Sequence, residues 1–235
     1  MQNELPARAW TNPFILKLQN HQDTIFNLNS IEKIDQLKAT LTEKFAAWPS
    51  IILEICSGSG THALSLAQTF PQSLIVGIEL RYKRIVRTAE KARVKNITNI
   101  CLLHIDANYI DQVFDPNSVD QVYMNFPDPW DGKARWDDRF LLSKDYLNKI
   151  FNMLKPGCSF AFKTDHSRRF MQVAAEFETL PAFGLTEYSE DLHTSIYQKQ
   201  NISTEFERLF TNQKKPVFYL KAIKAKDLNT LSTDL

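Results

Sequence analysis

The chain has 235 residues, 43% of them hydrophobic, which is enough to bury one sizeable core and excludes a disordered or fibrous protein. Its 28 Lys and Arg stand against 27 Asp and Glu, so no global field marks a protein that coats nucleic acid, and any nucleic-acid role has to come from local charge. The three cysteines, Cys56, Cys101 and Cys158, are odd in number and lack metal-like spacing, so neither a disulfide framework nor a metal site is expected and a reducing, cytoplasmic home fits.

Residues 1–48 form an N-terminal segment whose Glu4, Pro6, Arg8 and Pro13 do not follow the basic-then-apolar order of a signal peptide. No window of the chain approaches the roughly 18 apolar residues that a membrane span needs, so no membrane partner is expected. From Ile34, apolar residues recur as Ile34, Leu37, Leu41, Phe45 and Trp48, a helical spacing that ends at Pro49. Short β-rich runs then alternate with helical ones. Ile51–Ile55, Leu74–Leu80, Ile100–Ile105, Val119–Asn125 and Ser159–Thr164 read as strands. Helices are predicted over 81–94, from Phe140 to the turn signal Lys155-Pro156-Gly157, and over 166–178. The alternation predicts an α/β fold with a mostly parallel sheet, helices on both faces, and a ligand site beyond the carboxyl ends of the strands. After residue 183 the alternation stops. Gly184–Tyr188 and Pro216–Ile223 read as two strands separated by a polar stretch, 189–214, a hairpin-like closure. One domain over 49–224 is therefore expected, followed by a frayed tail, 225–235. Nothing in the sequence indicates a homo-oligomer.

The first strand runs into Glu54-Ile55-Cys56-Ser57-Gly58-Ser59-Gly60-Thr61-His62, with a helix directly behind it. Gly58 and Gly60 let the backbone approach a ligand at the helix N-terminus. Glu79, at the end of the second strand, stands where an acid grips a ribose diol. The pattern also satisfies a dinucleotide fingerprint with Ala63 in the third place. Glu54 argues against a nicotinamide enzyme, because a strand-end carboxylate suits an ammonium better than a pyrophosphate. S-adenosylmethionine carries an ammonium, a positive sulfonium and no phosphate. Asn125-Phe126-Pro127-Asp128-Pro129-Trp130 follows the fourth strand; its prolines stiffen a loop that would hold Asp128 and two aromatic rings at the reactive end of such a ligand.

With these motifs in order, joined by Asp106-Ala107, Lys163-Thr164-Asp165, Thr204-Glu205-Phe206-Glu207 and Pro216-Val217-Phe218-Tyr219, the chain resembles the bacterial tRNA (guanine-N7)-methyltransferases from about Glu54 to Lys221. The resemblance implies a Rossmann-like class I methyltransferase fold with a mostly parallel seven-stranded sheet and a C-terminal antiparallel strand. It implies S-adenosylmethionine as cofactor, tRNA as partner, and methylation of a guanine N7, in the variable loop as in the family, to give 7-methylguanosine. It makes Glu54, Gly58, Gly60, Glu79, Asp106 and Asp128 cofactor-binding, with Asp128 also catalytic. Lys133, Asp165, Thr204, Glu205, Phe206 and Glu207 become substrate-binding. N7 carries a lone pair and no proton, so Asp128 would orient the guanine and offset its growing positive charge rather than accept a proton. Aromatics such as Phe126 or Trp130 would stack on a base turned outward from the RNA.

Local basic charge lies on 81–95, where seven Lys and Arg face Glu90 alone, and in Arg168 and Arg169 at the start of the helix after Asp165; both are candidates to track phosphates. The chain departs from the family at Cys56, where the family has a glycine. It departs again over 131–139, where Asp131, Asp137 and Asp138 enter a segment that the family keeps densely basic. These departures leave two alternatives: a diverged paralogue that binds cofactor or RNA without efficient transfer, or a methyltransferase with another substrate. His62, His104, His166 and His193 are read as structural or solvent-facing, because none has an evident acid–base partner.

Overall fold

In a computed structural model, the chain is described over residues 12–28, 34–130, 139–180 and 182–226. Lys133, with Asp131, Asp137 and Asp138, lies outside the described residues, as do 1–11 and the tail beyond Lys226.

The elements in chain order are α1 (Pro13–Leu18), β1 (Ile25–Asn27), α2 (Ile34–Ala46), β2 (Ser50–Ile55), α3 (Thr61–Thr69), β3 (Ser73–Ile78), α4 (Tyr82–Val94), β4 (Ile100–His104), α5 (Ile110–Val113), β5 (Val119–Asn125), α6 (Lys144–Met153), β6 (Leu154–Thr164), α7 (Ser167–Glu178), β7 (Phe183–Ser189), α8 (Glu205–Asn212) and β8 (Phe218–Lys224). They form one sheet in the order β1-β4-β3-β2-β5-β6-β8-β7. The sheet has eight strands where seven were expected. The added one, β1, is three residues long and extends the edge by pairing parallel to β4, Phe26 opposite Leu103. All pairings from β1 through β6 are parallel, and β8 runs antiparallel to both β6 and β7.

Strands β3 and β4 are buried along their whole length, which explains their continuous apolar runs: helices cover both faces, so neither side of the pleat meets water. Alternation along β2 assigns the layers. Ile51, Leu53 and Ile55 join a core with α2, α5, α6 and α7, while Ile52 joins a second core with α1, α3 and α4. Glu54 shares the parity of Ile52 and so faces α3. Its neighbours in the sheet are Gly77 and Tyr123.

From β2 the chain winds outward through β3 and β4 and then returns to place β5 on the other side of β2. This reversal opens a crevice at the carboxyl ends of β2 and β5, the place where such sheets hold ligands. The polar stretch 189–214 is not a plain hairpin loop. It carries two 3-10 turns and α8, which a capping box opens: Glu207 N–H donates to the Thr204 hydroxyl at 2.9 Å, and the Glu207 carboxylate accepts from Thr204 N–H. Among the described residues, no helix is long and apolar enough to cross a membrane.

Candidate active site

The loop after β2 is shaped by three residues with left-handed backbone: Cys56 at φ 60°, Gly58 at 57° and Gly60 at 76°. Gly60 caps α3 and lies so close to α4 that an added Cβ would sit 2.1 Å from Thr88 Cγ2, whereas a Cβ on Gly58 would find no atom nearer than 4.0 Å. Gly60 is thus a packing glycine, and Gly58 leaves its side of the loop open. Burial, reinforced by the negative charges of Glu79, Asp128 and Glu54, pushes the Cys56 thiol up to about 12, which disfavours the thiolate.

Glu54, Glu79, Asp106 and Asp128 converge on one cavity of about 830 Å3, with Ser57, Gly58, His62, Asn125, Phe126 and Trp130 among its walls. Glu54 is 2% exposed. Its Oε1 accepts from Asn125 Nδ2 at 3.1 Å and lies 3.0 Å from His62 Nδ1, while Oε2 is buried with no partner. Ser57 Oγ and Asn125 Oδ1 are orphaned in the same way. Buried polar atoms without partners are costly, so three around one cavity mark a surface made to be completed by a polar ligand. Glu79 accepts from Gly58 N–H at 2.9 Å and from Arg81 N–H at 2.8 Å, which fixes the carboxylate across the glycine loop. Burial raises its pKa, and the two backbone donors and Arg84 oppose the rise. Asp106 caps the 3-10 turn after β4 by accepting from Asn108 N–H at 2.9 Å.

Asp128 stands at the mouth of the cavity, 59% exposed in its side chain, with Arg81 at 3.5 Å. The loop that carries it is strained, because Phe126 and Trp130 hold φ of 50° and 46°. Behind it lies an aromatic group in which the Phe126 ring sits 5.4 Å from Phe210 and 6.1 Å from Phe206.

The residues expected to bind substrate separate. Thr204, Glu205 and Phe206 line the cavity. Glu205 accepts a 2.5 Å hydrogen bond from Ser59 Oγ, tying α8 to the glycine loop; that bond, helped by Lys91 and Arg208, holds its carboxyl below the usual range. Glu207 is fully buried and does not reach the cavity. It takes Lys163 Nζ at 3.0 Å and also bonds Asn201, as an internal ion pair at the foot of α8. Asp165 is exposed beyond β6 and does not line the cavity.

One of the basic candidates, Arg169, is corrected, whereas Arg168 beside it is exposed. Arg169 is 1% exposed, so it cannot lie against a phosphate backbone. On α4, Arg81 and Arg84 reach Asp128 and Glu79, and Lys91 donates to Ser59 O at 2.9 Å, so part of that charge serves the cavity wall. Of the histidines, His166 caps α7, His104 is fixed between Asn27 and Leu80 O, and His193 contacts Thr211 and Glu207. His62, like His193, lies against a carboxylate that the sequence did not reveal, here Glu54. Among the described residues no cluster of three or more His, Cys, Asp or Glu is placed to hold a metal.

A family model described as "Putative methyltransferase" matches residues 49–220. A tRNA (guanine-N(7)-)-methyltransferase of Lactobacillus acidophilus is 35% identical over 225 residues, which cover 92% of this chain and 97% of that protein. The chain belongs to the tRNA (guanine-N7)-methyltransferase family. A bifunctional glycosyltransferase/methyltransferase of Fusobacterium nucleatum matches at 33% identity over 86% of this chain, which spans 31% of that longer protein. A solved antibiotic-related methyltransferase superposes with a TM-score of 0.61 at 19% identity, over 80% of this chain and 94% of its own, and shares the fold. S-adenosylmethionine, the methyl donor of the family, fits the donor set. The unpartnered Glu54 oxygen suits its ammonium, Glu79 its ribose and Asp106 its adenine amine.

Proposed function

We propose that the protein methylates N7 of a guanine in tRNA, with S-adenosylmethionine as donor, and that the guanine lies in the variable loop. The observation that carries this reading is the buried, half-partnered Glu54 at the crevice between β2 and β5, in one cavity with Glu79, Asp106 and Asp128. When bound, S-adenosylmethionine supplies an electrophilic methyl group on a positive sulfonium. Glu54, Glu79 and Asp106 would hold its ends, and the glycine loop would admit its body.

Asp128, at the cavity mouth, would receive the guanine and balance the positive charge that grows on its ring as N7 takes the methyl. No base is needed, because N7 has no proton to lose, so proximity and alignment supply most of the acceleration. Phe126, Phe206 and Trp130 offer π-faces beside the mouth for a base turned out of the RNA. Lys133 and Asp165 are assigned to the RNA with Thr204, Glu205 and Phe206. The methyltransferase domain is assigned to 49–224, and the compartment to the cytoplasm, where tRNA is modified.

Two variants test the assignment. Glu54→Gln keeps the shape but removes the charge that faces the ammonium, and should weaken S-adenosylmethionine binding by on the order of 10- to 100-fold, as a lost charge-assisted hydrogen bond does. Asp128→Ala, which changes a cofactor-contacting position at the cavity mouth, should weaken S-adenosylmethionine binding less than Glu54→Gln does and lose most of its methyl transfer. Near-normal turnover in Asp128→Ala would remove its catalytic role, and unchanged cofactor affinity in Glu54→Gln would remove the site.

A further inference from the structure

The segment Pro127-Asp128-Pro129-Trp130 is poor in its own means of support. Pro127 and Pro129 have no N–H, so the segment has lost half of its backbone donors and its carbonyls call on donors from elsewhere. Its ends, Phe126 and Trp130, sit in left-handed backbone that a side chain disfavours, a conformation that persists only where the surroundings impose it.

The support comes from α7. Arg169 Nε donates to Pro129 O at 2.7 Å, Nη2 to Trp130 O at 2.9 Å, and Nη1 to Gln172 Oε1 at 2.8 Å, with the guanidinium 4.5 Å from the centre of the Phe140 ring. Two carbonyls of adjacent residues are thus taken by one planar fork, a geometry that an ammonium cannot reproduce. Burying a guanidinium is costly, and a loop that merely needed cover could be packed by an apolar side chain. The fork meets the loop one and two residues after Asp128, at one of its two strained ends, and Gln172, which it also fixes, lines the cavity.

We propose that Arg169 is a positioning residue for methyl transfer: it locks the Asp128 loop in its strained form and so sets where the acceptor meets the donor. This rests on the reading of Asp128 given above. The role is separate from RNA binding, because the side chain is buried, and Arg169 acts on the cavity through the loop and Gln172, which line it.

The test uses Arg169→Lys, which keeps a cation but loses the planar fork of donors, and Arg169→Leu as the second variant. Turnover, cofactor affinity and hydrogen exchange are measured for each, alone and combined with Asp128→Ala. The expected result is a fall in kcat on the order of 100-fold, the cost of a small misplacement at the reacting atoms. Exchange should rise in the segment around 126–130, S-adenosylmethionine affinity should fall far less than kcat, and protection of the sheet should stay as in the parent. Adding either change to Asp128→Ala should cost little more, since both act on one loop. Unchanged kcat and loop exchange would overturn the proposal. So would parallel loss of loop exchange protection, sheet protection and cofactor affinity, which would make Arg169 a support of the whole fold, and so would a full additional loss in the double variant. If Asp128→Ala keeps its turnover while Arg169→Lys loses it and loosens the loop, the catalytic role of Asp128 fails and the positioning role of Arg169 stands.

Discussion

Gly60 and Gly58 belong to one motif and share a left-handed backbone, yet replacing them with alanine should have unequal costs. An L-residue in that conformation costs about 1–2 kcal/mol, and both positions incur it. Gly60→Ala adds overpacking. Its Cβ would lie 2.1 Å from Thr88 Cγ2, 2.5 Å from Oγ1 and 2.7 Å from Cβ, so no rotation of the threonine side chain clears the contact. Thr88 is fully buried and donates to Arg84 O at 3.1 Å, which leaves it little room to retreat. Overpacking of this kind costs about 1–3 kcal/mol, giving about 2–5 kcal/mol for Gly60→Ala against about 1–2 for Gly58→Ala. At about 2–4 °C per kcal/mol for a chain of this size, thermal melts without ligand should fall by about 4–20 °C and about 2–8 °C respectively. Thr88→Gly in the Gly60→Ala background should recover the packing part, less about 1 kcal/mol for a glycine inside α4. Equal losses at the two glycines, or no recovery with Thr88→Gly, would refute the packing argument.

Glu207→Gln should destabilise the protein by about 3–5 kcal/mol in urea unfolding, because it leaves Lys163 buried without its counter-charge; the Lys163→Met/Glu207→Leu pair should regain most of that. The lowered pKa of Glu205 means that its ionised form is stabilised in the folded chain. That contribution is complete above the ordinary carboxylate range and is lost as pH falls through the lowered value. Ser59→Ala removes the main cause, so the acid limb of its stability curve should be flatter than the parent's; an identical limb would exclude the link. With its thiol pushed up to about 12, Cys56 should resist alkylation at pH 8 despite its place on the cavity wall, and rapid labelling followed by peptide mapping would contradict that.

The β-rich runs, the glycine loop, the acid near the end of β2 and those after β3, β4 and β5 were legible because each is local: an alternation, a spacing, a strand end. What stayed hidden depends on burial or on contacts between distant segments. β1 is too short, at three residues, to show a period. α8 lay in a stretch read as polar, although Thr204 and Glu207 at cap spacing with Phe206, Leu209 and Phe210 behind them did carry its signal. The same four-residue run mixes two duties that residue type alone does not separate. Glu205 and Phe206 face the cavity, and Glu207 turns inward to Lys163. Arg169 read as a surface cation beside a helix start, and the deficit of donors in the proline loop was the clue to its inward course. His62 acquires a partner only when α3 folds back over β2.

The most direct test of the account is transfer of labelled methyl from S-adenosylmethionine to unmodified bulk tRNA, with nucleoside analysis of the product. The account predicts 7-methylguanosine from the parent protein and only a small residue of it from Asp128→Ala. Cofactor binding with no label in tRNA would contradict it, and would point to the aspartates at 131, 137 and 138 as the mark of a chain that kept the fold and left the substrate.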